Sequence, residues 1–227
     1  MSVESAAGER WLAATWPFVR SHLPAAPAQV VDLGCGSLGG FVPRLRASGY
    51  DAVGIDPDAP DEEHYQRTEF ERAELPLGVD AVVASTSLHH VADPARVIEL
   101  ITGTLASKGS VVVLEWASED FDEDTAHWCF ERLGADDEAS WLHRRRDEWL
   151  ASGRGWPDYL REWAEREGVH RGDALLQLLD ERLERRLLSR GPYFFPDLAG
   201  TTEAEEQAAI DSGQIRATRI DWVGARR

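Results

Sequence analysis

Apolar positions in the first half of the chain fall into short runs separated by helical stripes. Trp11, Leu12, Trp16, Val19 and Leu23 recur at helical spacing and predict a helix over 9–22, which Pro24 and Pro27 bring to an end. Val30 to Leu33 is a short run that leads into a glycine loop. Pro43 to Ser48 reads as a helix with Gly49 as its stop. Ala52 to Ile55 reads as a second strand ending at Asp56. Asp80 to Ala84 and Ser110 to Leu114 are valine-rich strands of the buried type. Between them Val97, Ile98, Leu100, Ile101 and Leu105 share one face of a helix over 94–105. Strand alternating with helix predicts an α/β fold with a doubly wound, Rossmann-like, mostly parallel sheet.

The alternation stops near Trp116. From Asp124 to Arg190 the chain reads as helical, with Leu175, Leu179, Leu183 and Leu187 on one stripe and Leu176 and Leu188 beside it. Pro157 suits a first helical position, and Gly168 and Gly191 suit stops. Thr202 to Asp211 predicts a further helix ended by Gly213, and Ile215 to Ala225 a final strand. The expected division is a sheet domain over 1–120 and 196–227, with an α-helical insertion over 121–195 that covers the active edge.

Composition narrows the function classes. The 227 residues carry a net charge of -17, which disfavours nucleic acid and anionic membrane surfaces as partners. No run approaches a membrane span, and residues 1–10 lack the apolar stretch of a secretory signal. The two cysteines, Cys35 and Cys129, make no metal-ligand spacing. A cytoplasmic enzyme, monomeric or homodimeric and with no metal, is the expectation.

Gly34, Gly36 and Gly39 satisfy G-x-G-x-x-G between a strand and a helix. This spacing lets a ligand approach the backbone at a helix N-terminus. Asp56 can accept hydrogen bonds from both hydroxyls of a ribose. So far any adenosine cofactor fits, NAD included. Asp32, immediately before the loop, separates the readings. A carboxylate there repels the pyrophosphate of a dinucleotide but attracts the ammonium of S-adenosylmethionine. It can also simply cap the following helix.

With those residues in place, the chain resembles class I S-adenosylmethionine-dependent methyltransferases, of small-molecule type with a helical lid. The resemblance rests on Val-Val-Asp-Leu-Gly-Cys-Gly at 30–36, Val-Gly-Ile-Asp at 53–56, Glu-Arg-Ala-Glu-Leu-Pro at 71–76 and the string at 80–94 that contains His89 and His90. It implies S-adenosylmethionine as cofactor and S-adenosylhomocysteine as product. It also implies an antiparallel last strand, and that Glu71 and the backbone amide of Arg72 read the adenine edge. The implied cofactor set is Asp32, Gly34, Cys35, Gly36, Gly39, Asp56, Pro57, Glu71, Arg72, Ser85 and Thr86. The chain departs from the family's Gly-x-Gly-x-Gly in having Leu38 at the third position. An extra residue at Ser37 or Leu38 would make Gly39 the functional third glycine. The place of the usual sixth strand is open, with 192–198 either supplying it or forming loop.

Methyl transfer needs alignment and exclusion of water, and for some acceptors a base. His90 and Glu115 are the catalytic candidates, each with an alternative role in stabilising a turn or a lid contact. His89, Trp116, His143 and Tyr193 are candidates for the acceptor pocket, with packing as their alternative. The basic run 143–146 reads as a solvated helix face pairing with Asp147 and Glu148. An NAD-linked oxidoreductase and a non-catalytic S-adenosylmethionine-binding module are the competing functions.

Overall fold

The structure, a computed structural model, describes residues 3–135 and 140–227. Residues 136–139, within the stretch expected to be helical, and residues 1–2 lie outside the described residues.

Among the described residues seven strands form one sheet in the order β3-β2-β1-β4-β5-β7-β6. They are β1 (Gln29–Leu33), β2 (Asp51–Ile55), β3 (Tyr65–Gln66), β4 (Val79–Ser85), β5 (Leu105–Trp116), β6 (Leu183–Gly191) and β7 (Arg219–Arg226). The first five run parallel and β7 is inserted antiparallel between β5 and β6. The helices are α1 (Val3–Ser21), α2 (Val42–Ala47), α3 (Pro94–Thr104), α4 (Glu123–Phe130), α5 (Trp141–Ser152), α6 (Trp156–Glu167), α7 (Gly172–Arg182) and α8 (Glu203–Asp211).

Strand alternation divides the core. Val31, Leu33, Val82, Val111 and Val113 face α3 and α7, where Val97, Ile98, Ile101, Leu175 and Leu179 meet them. Val30, Ala52, Ala81, Val83 and Val112 face α1 and α2, against Leu12, Val19 and Leu45. A third cluster, with Trp128, Leu142, Trp156 and Phe194, forms the core of the helices after β5. Local signals start the helices as the sequence suggests. Asp93 accepts the Arg96 amide ahead of Pro94, and Thr202 with Glu205 closes a capping box on α8.

The helical reading of 183–190 is overturned. Leu183 to Gly191 is the edge strand β6, so Gly191 ends a strand and not a helix, and the sixth strand precedes 192–198. Leu183, Leu187 and Leu188 do not continue the stripe of α7. Antiparallel pairing from Leu183 opposite Arg226 to Gly191 opposite Arg219 satisfies the backbone of a segment whose residues also suit a helix. The last strand is antiparallel, as expected, and begins at Arg219 and not Ile215.

Register aligns the functional ends. Asp32 lies opposite Gly54 and Val83, and Ser85 opposite Leu114. The segments beginning Leu33, Ile55, Ser85 and Leu114 therefore leave the sheet at one edge. This is where ligands of open α/β sheets bind.

Candidate functional site

Three adjoining cavities open along that edge, and Thr86 lines all of them. Thr86 has a φ of 50° in the left-handed region, unusual for a β-branched residue. Its amide donates to the Leu114 carbonyl at 2.7 Å, and its hydroxyl donates to the Ser85 carbonyl at 2.8 Å.

The first cavity, of about 350 Å³, is lined by Gly34, Asp56, Pro57, Phe70, Glu71 and His90, among others. Asp56 accepts the Asp58 amide through Oδ1 at 2.8 Å, which leaves Oδ2 for a ligand. Glu71 sits in a short turn, Phe70–Arg72, whose Phe70 is buried and brings the carboxylate to the wall. Arg72 does not line the cavity. Its side chain points to solvent against Glu69, and its amide donates to the Glu69 carbonyl at 3.0 Å.

The second cavity, of about 230 Å³, is lined by Asp32, Gly34, Cys35, Gly36, Leu38, Gly40, Ser85 and residues of α1. Asp32 is 1% exposed and accepts the Phe41 amide at 2.6 Å, so it both faces the cavity and caps α2. Burial pushes its carboxyl from 3.8 up to about 7, partly offset by that amide. Two glycines are required by close approach. A side chain at Gly34 would strike Ser87, and one at Gly40 would strike Asp32. Gly36 has open space before it. Gly39 backs onto the Tyr65 ring and does not line the cavity, whereas Gly40 does. Cys35 is a buried thiol whose pKa burial drives upward, which suits a filler of the loop.

The third cavity, of about 290 Å³, is walled by Trp11, Trp141, Tyr193, Pro196 and Asp197. Trp11 is pinned by an Nε1 hydrogen bond to Ser85 Oγ at 2.9 Å. Tyr193 stacks on Trp116 with centroids 5.8 Å apart, and Trp116 meets Trp141 edge-on at 5.7 Å. Trp116 supports these walls from behind.

The catalytic candidates lie beneath the chamber and to one side of it. Glu115 is buried, and Oε1 accepts the Ser87 and Leu88 amides at 2.8 and 2.6 Å. Oε2 meets His89 Nδ1 at 2.5 Å and the Trp116 amide at 3.1 Å. These four contacts fill its acceptor capacity and, led by His89's charge among the lowering effects, hold its pKa below the usual value despite burial. Glu115 and His89 thus hold the turn that carries Thr86 to His90. His90 lines the first cavity, its ring 4.1 Å from that of His89. Burial, then His89, lowers its pKa to about 4, so it is neutral at physiological pH. His143 lines none of these cavities. It bonds Ser140 Oγ at 2.6 Å and the Gly134 carbonyl at 3.1 Å.

One residue that pattern reading misses is Glu206. It is fully buried and accepts the amides of Tyr193, Phe194 and Phe195 at 2.8, 3.0 and 2.6 Å. It fixes the aromatic wall, yet in sequence it is one acid among several on a surface-type helix. A further cavity, of about 820 Å³, lies farther along the same edge, between α6 and the turn at 118–120, and shares no lining residue with the other three. Its arginines are paired, Arg190 with Asp120 and Arg171 with Asp173.

A family profile described as methyltransferase domain matches residues 9–182, most of the chain. The chain belongs to that family. Other proteins place this methyltransferase domain among related sequences and folds. The 2-ketoarginine methyltransferase of Streptomyces arginensis is 38% identical over 44% of this chain, and the match spans 35%, about a third, of that relative's length. An S-adenosylmethionine-dependent methyltransferase from Mesorhizobium loti shares the fold over 99% of this chain and 100% of its own, with TM-score 0.56 and 21% identity. A geranyl diphosphate C-methyltransferase from Streptomyces coelicolor A3(2) does so over 95% and 80%, with TM-score 0.58 and 16% identity. At these identities the structural likeness is one of fold. Among the described residues no helix is long and apolar enough to cross a membrane.

Proposed function

We propose that this methyltransferase domain binds S-adenosylmethionine and transfers its methyl group to a small-molecule acceptor. The observation that carries the reading is the pair of cavities meeting at Gly34 and Thr86, one bearing the Asp56 carboxylate and the other the Asp32 carboxylate. Asp56 and Glu71 suit a nucleoside, Asp56 accepting from the ribose. Gly36 and Asp32 suit an amino-acid tail whose ammonium faces a carboxylate. A pyrophosphate in the second cavity would be repelled by Asp32, so NAD fits poorly.

S-adenosylmethionine, when bound, supplies a methyl carbon activated by a positively charged sulfur. The chain's own contribution is alignment and exclusion of water. Thr86 sits where the two cofactor cavities meet the aromatic chamber. Trp11, Trp141 and Tyr193 give the acceptor an aromatic wall, with Trp11 pinned by Ser85. Trp141 opens α5 and Tyr193 follows β6, which supports a covering role for the helices between 121 and 182 and for the loop after Gly191. Two of the similar proteins are named for small acceptors, 2-ketoarginine and geranyl diphosphate. The net charge of -17 argues against nucleic acid.

Thermal denaturation tests the cofactor. S-adenosylhomocysteine at about 100 times its Kd should stabilise the fold by roughly 2.7 kcal/mol, and NADH should not. A shift with NADH alone would overturn the reading. Asp56→Ala should weaken S-adenosylhomocysteine binding by at least about tenfold, since a charge-assisted bond is lost. Methylated product from candidate acceptors separates an enzyme from a binding module.

A further inference from the structure

We propose that His170 is a positioning residue for the cofactor, tying the loop between α6 and α7 to the turn that walls the nucleoside cavity. The proposal rests on the reading that S-adenosylmethionine occupies that cavity, and it adds a residue from outside the cavity that sets its shape.

The turn at 86–92 leaves β4 and carries Thr86, Ser87, His90, Val91 and Ala92 into the lining of the nucleoside cavity. It begins in strain, because Thr86 holds a φ of 50°, and such a residue persists only where its surroundings fix it. The sheet fixes the first half of the turn. Ser87 Oγ donates to the Leu33 carbonyl at 3.0 Å, and Glu115 accepts the Ser87 and Leu88 amides. The second half is held from the helical segment. The His89 carbonyl accepts the His170 amide at 2.9 Å, and the Val91 carbonyl accepts from His170 Nε2 at 2.8 Å. A carbonyl can only accept, so Nε2 carries the ring proton. One residue thus grips the carbonyls on both sides of His90.

His170 itself stands on a fixed mount. Gly168 ends α6 with a φ of 67°, and Val169 is buried in the third core cluster. Glu119 accepts the amides of Gly172 and Asp173 at 2.9 and 2.7 Å. Gly172 is closely packed, since a Cβ there would come within 2.6 Å of Ile220 Cδ1 and 2.9 Å of the Ala117 Cα. The loop therefore bears on the ends of β5 and β7 on one side and on the turn on the other.

His170 lines none of the three cavities along the edge, so its effect on a ligand passes through His90, Val91 and Ala92. Without the Nε2 bond the Val91 carbonyl loses its partner, and that stretch of wall is free to shift. One hydrogen bond sets the scale, about fivefold in affinity.

Three substitutions test this. Gln brings an amide N–H to the place of His170 Nε2, whereas the shorter Asn and Ala do not. Hydrogen exchange of the ligand-free chain reads the turn directly. His170→Ala and His170→Asn should speed exchange over 87–92, and His170→Gln should keep it near wild type. Calorimetry reads the cofactor. S-adenosylhomocysteine should bind about fivefold more weakly to His170→Ala and His170→Asn, and recover to within about twofold in His170→Gln. 5′-Methylthioadenosine, which lacks the amino-acid tail, should lose the same factor because it meets the same wall. Unchanged exchange or unchanged affinity in His170→Ala, a loss confined to S-adenosylhomocysteine, or a His170→Gln no better than His170→Asn overturns the proposal. If His170→Ala fails to fold, the Gln and Asn variants carry the comparison. A wild-type chain that binds neither ligand sinks the cofactor reading itself, while the exchange data still decide whether His170 holds the turn.

Discussion

A buried carboxylate that meets its ligand through charge couples binding to pH, and Asp32 is placed to do so. Its folded-state pKa of about 7 stands above the unfolded value of 3.8, mainly through burial. The folded, unliganded chain therefore holds a proton on Asp32 that the unfolded chain has lost between those values. This group's contribution to stability falls as pH rises from about 4 to about 7, then levels. An ammonium ligand prefers the ionised form and lowers the pKa on binding. S-adenosylhomocysteine affinity should thus fall as pH drops through about 7, with proton release near neutrality. Calorimetry in two buffers of different ionisation heat measures that release. Asp32→Asn should abolish it, and a wild-type affinity that is flat between about pH 6 and 8 would exclude the role. Asp32 and Asp56 are legible in the sequence because each has a fixed offset from the glycines. The choice of Gly40 over Gly39 at the cavity wall is not, because it depends on how the loop turns against Tyr65 and Asp32.

At the scale of the element, α8 holds the wall of the chamber through one side chain. Glu206→Ala would strand the amides of Tyr193, Phe194 and Phe195 in a dry site. The expected cost is about 3–5 kcal/mol, read from chemical denaturation. Glu206→Gln should cost less but still destabilise, because one amide head cannot accept all three N–H groups. A loss below about 0.5 kcal/mol in Glu206→Ala would mean that water or another acceptor replaces the carboxylate. Such long-range partnering leaves no periodic trace, which is why Glu206 escapes pattern reading. The helical pattern of β6 has a related cause. In sequence alone, Leu-Glu-Arg-Arg-Leu-Leu at 183–188 repeats the leucine spacing of α7 and is rich in helix formers. Burial along β6 is confined largely to its ends, so period-two alternation is missing too. Pairing with β7 decides its conformation. The parallel strands β1, β2, β4 and β5 are legible because both faces are covered and their apolar runs are nearly unbroken.

Across the whole molecule the acidic surplus sets the electrostatics, with 41 acidic side chains against 24 basic ones. Salt acts on this surplus in two opposing ways. It screens the attraction in ion pairs and the repulsion among the excess acids. Many of the pairs, such as Arg161 with Asp158 and Arg96 with Glu99, are more than half exposed on both sides and contribute little to stability. The buried His89–Glu115 pair is shielded from ions by its surroundings. Relief of repulsion should therefore win, and the thermal midpoint should rise by a few degrees between about 20 and 300 mM sodium chloride. A falling midpoint would show that the surface pairs act as a network.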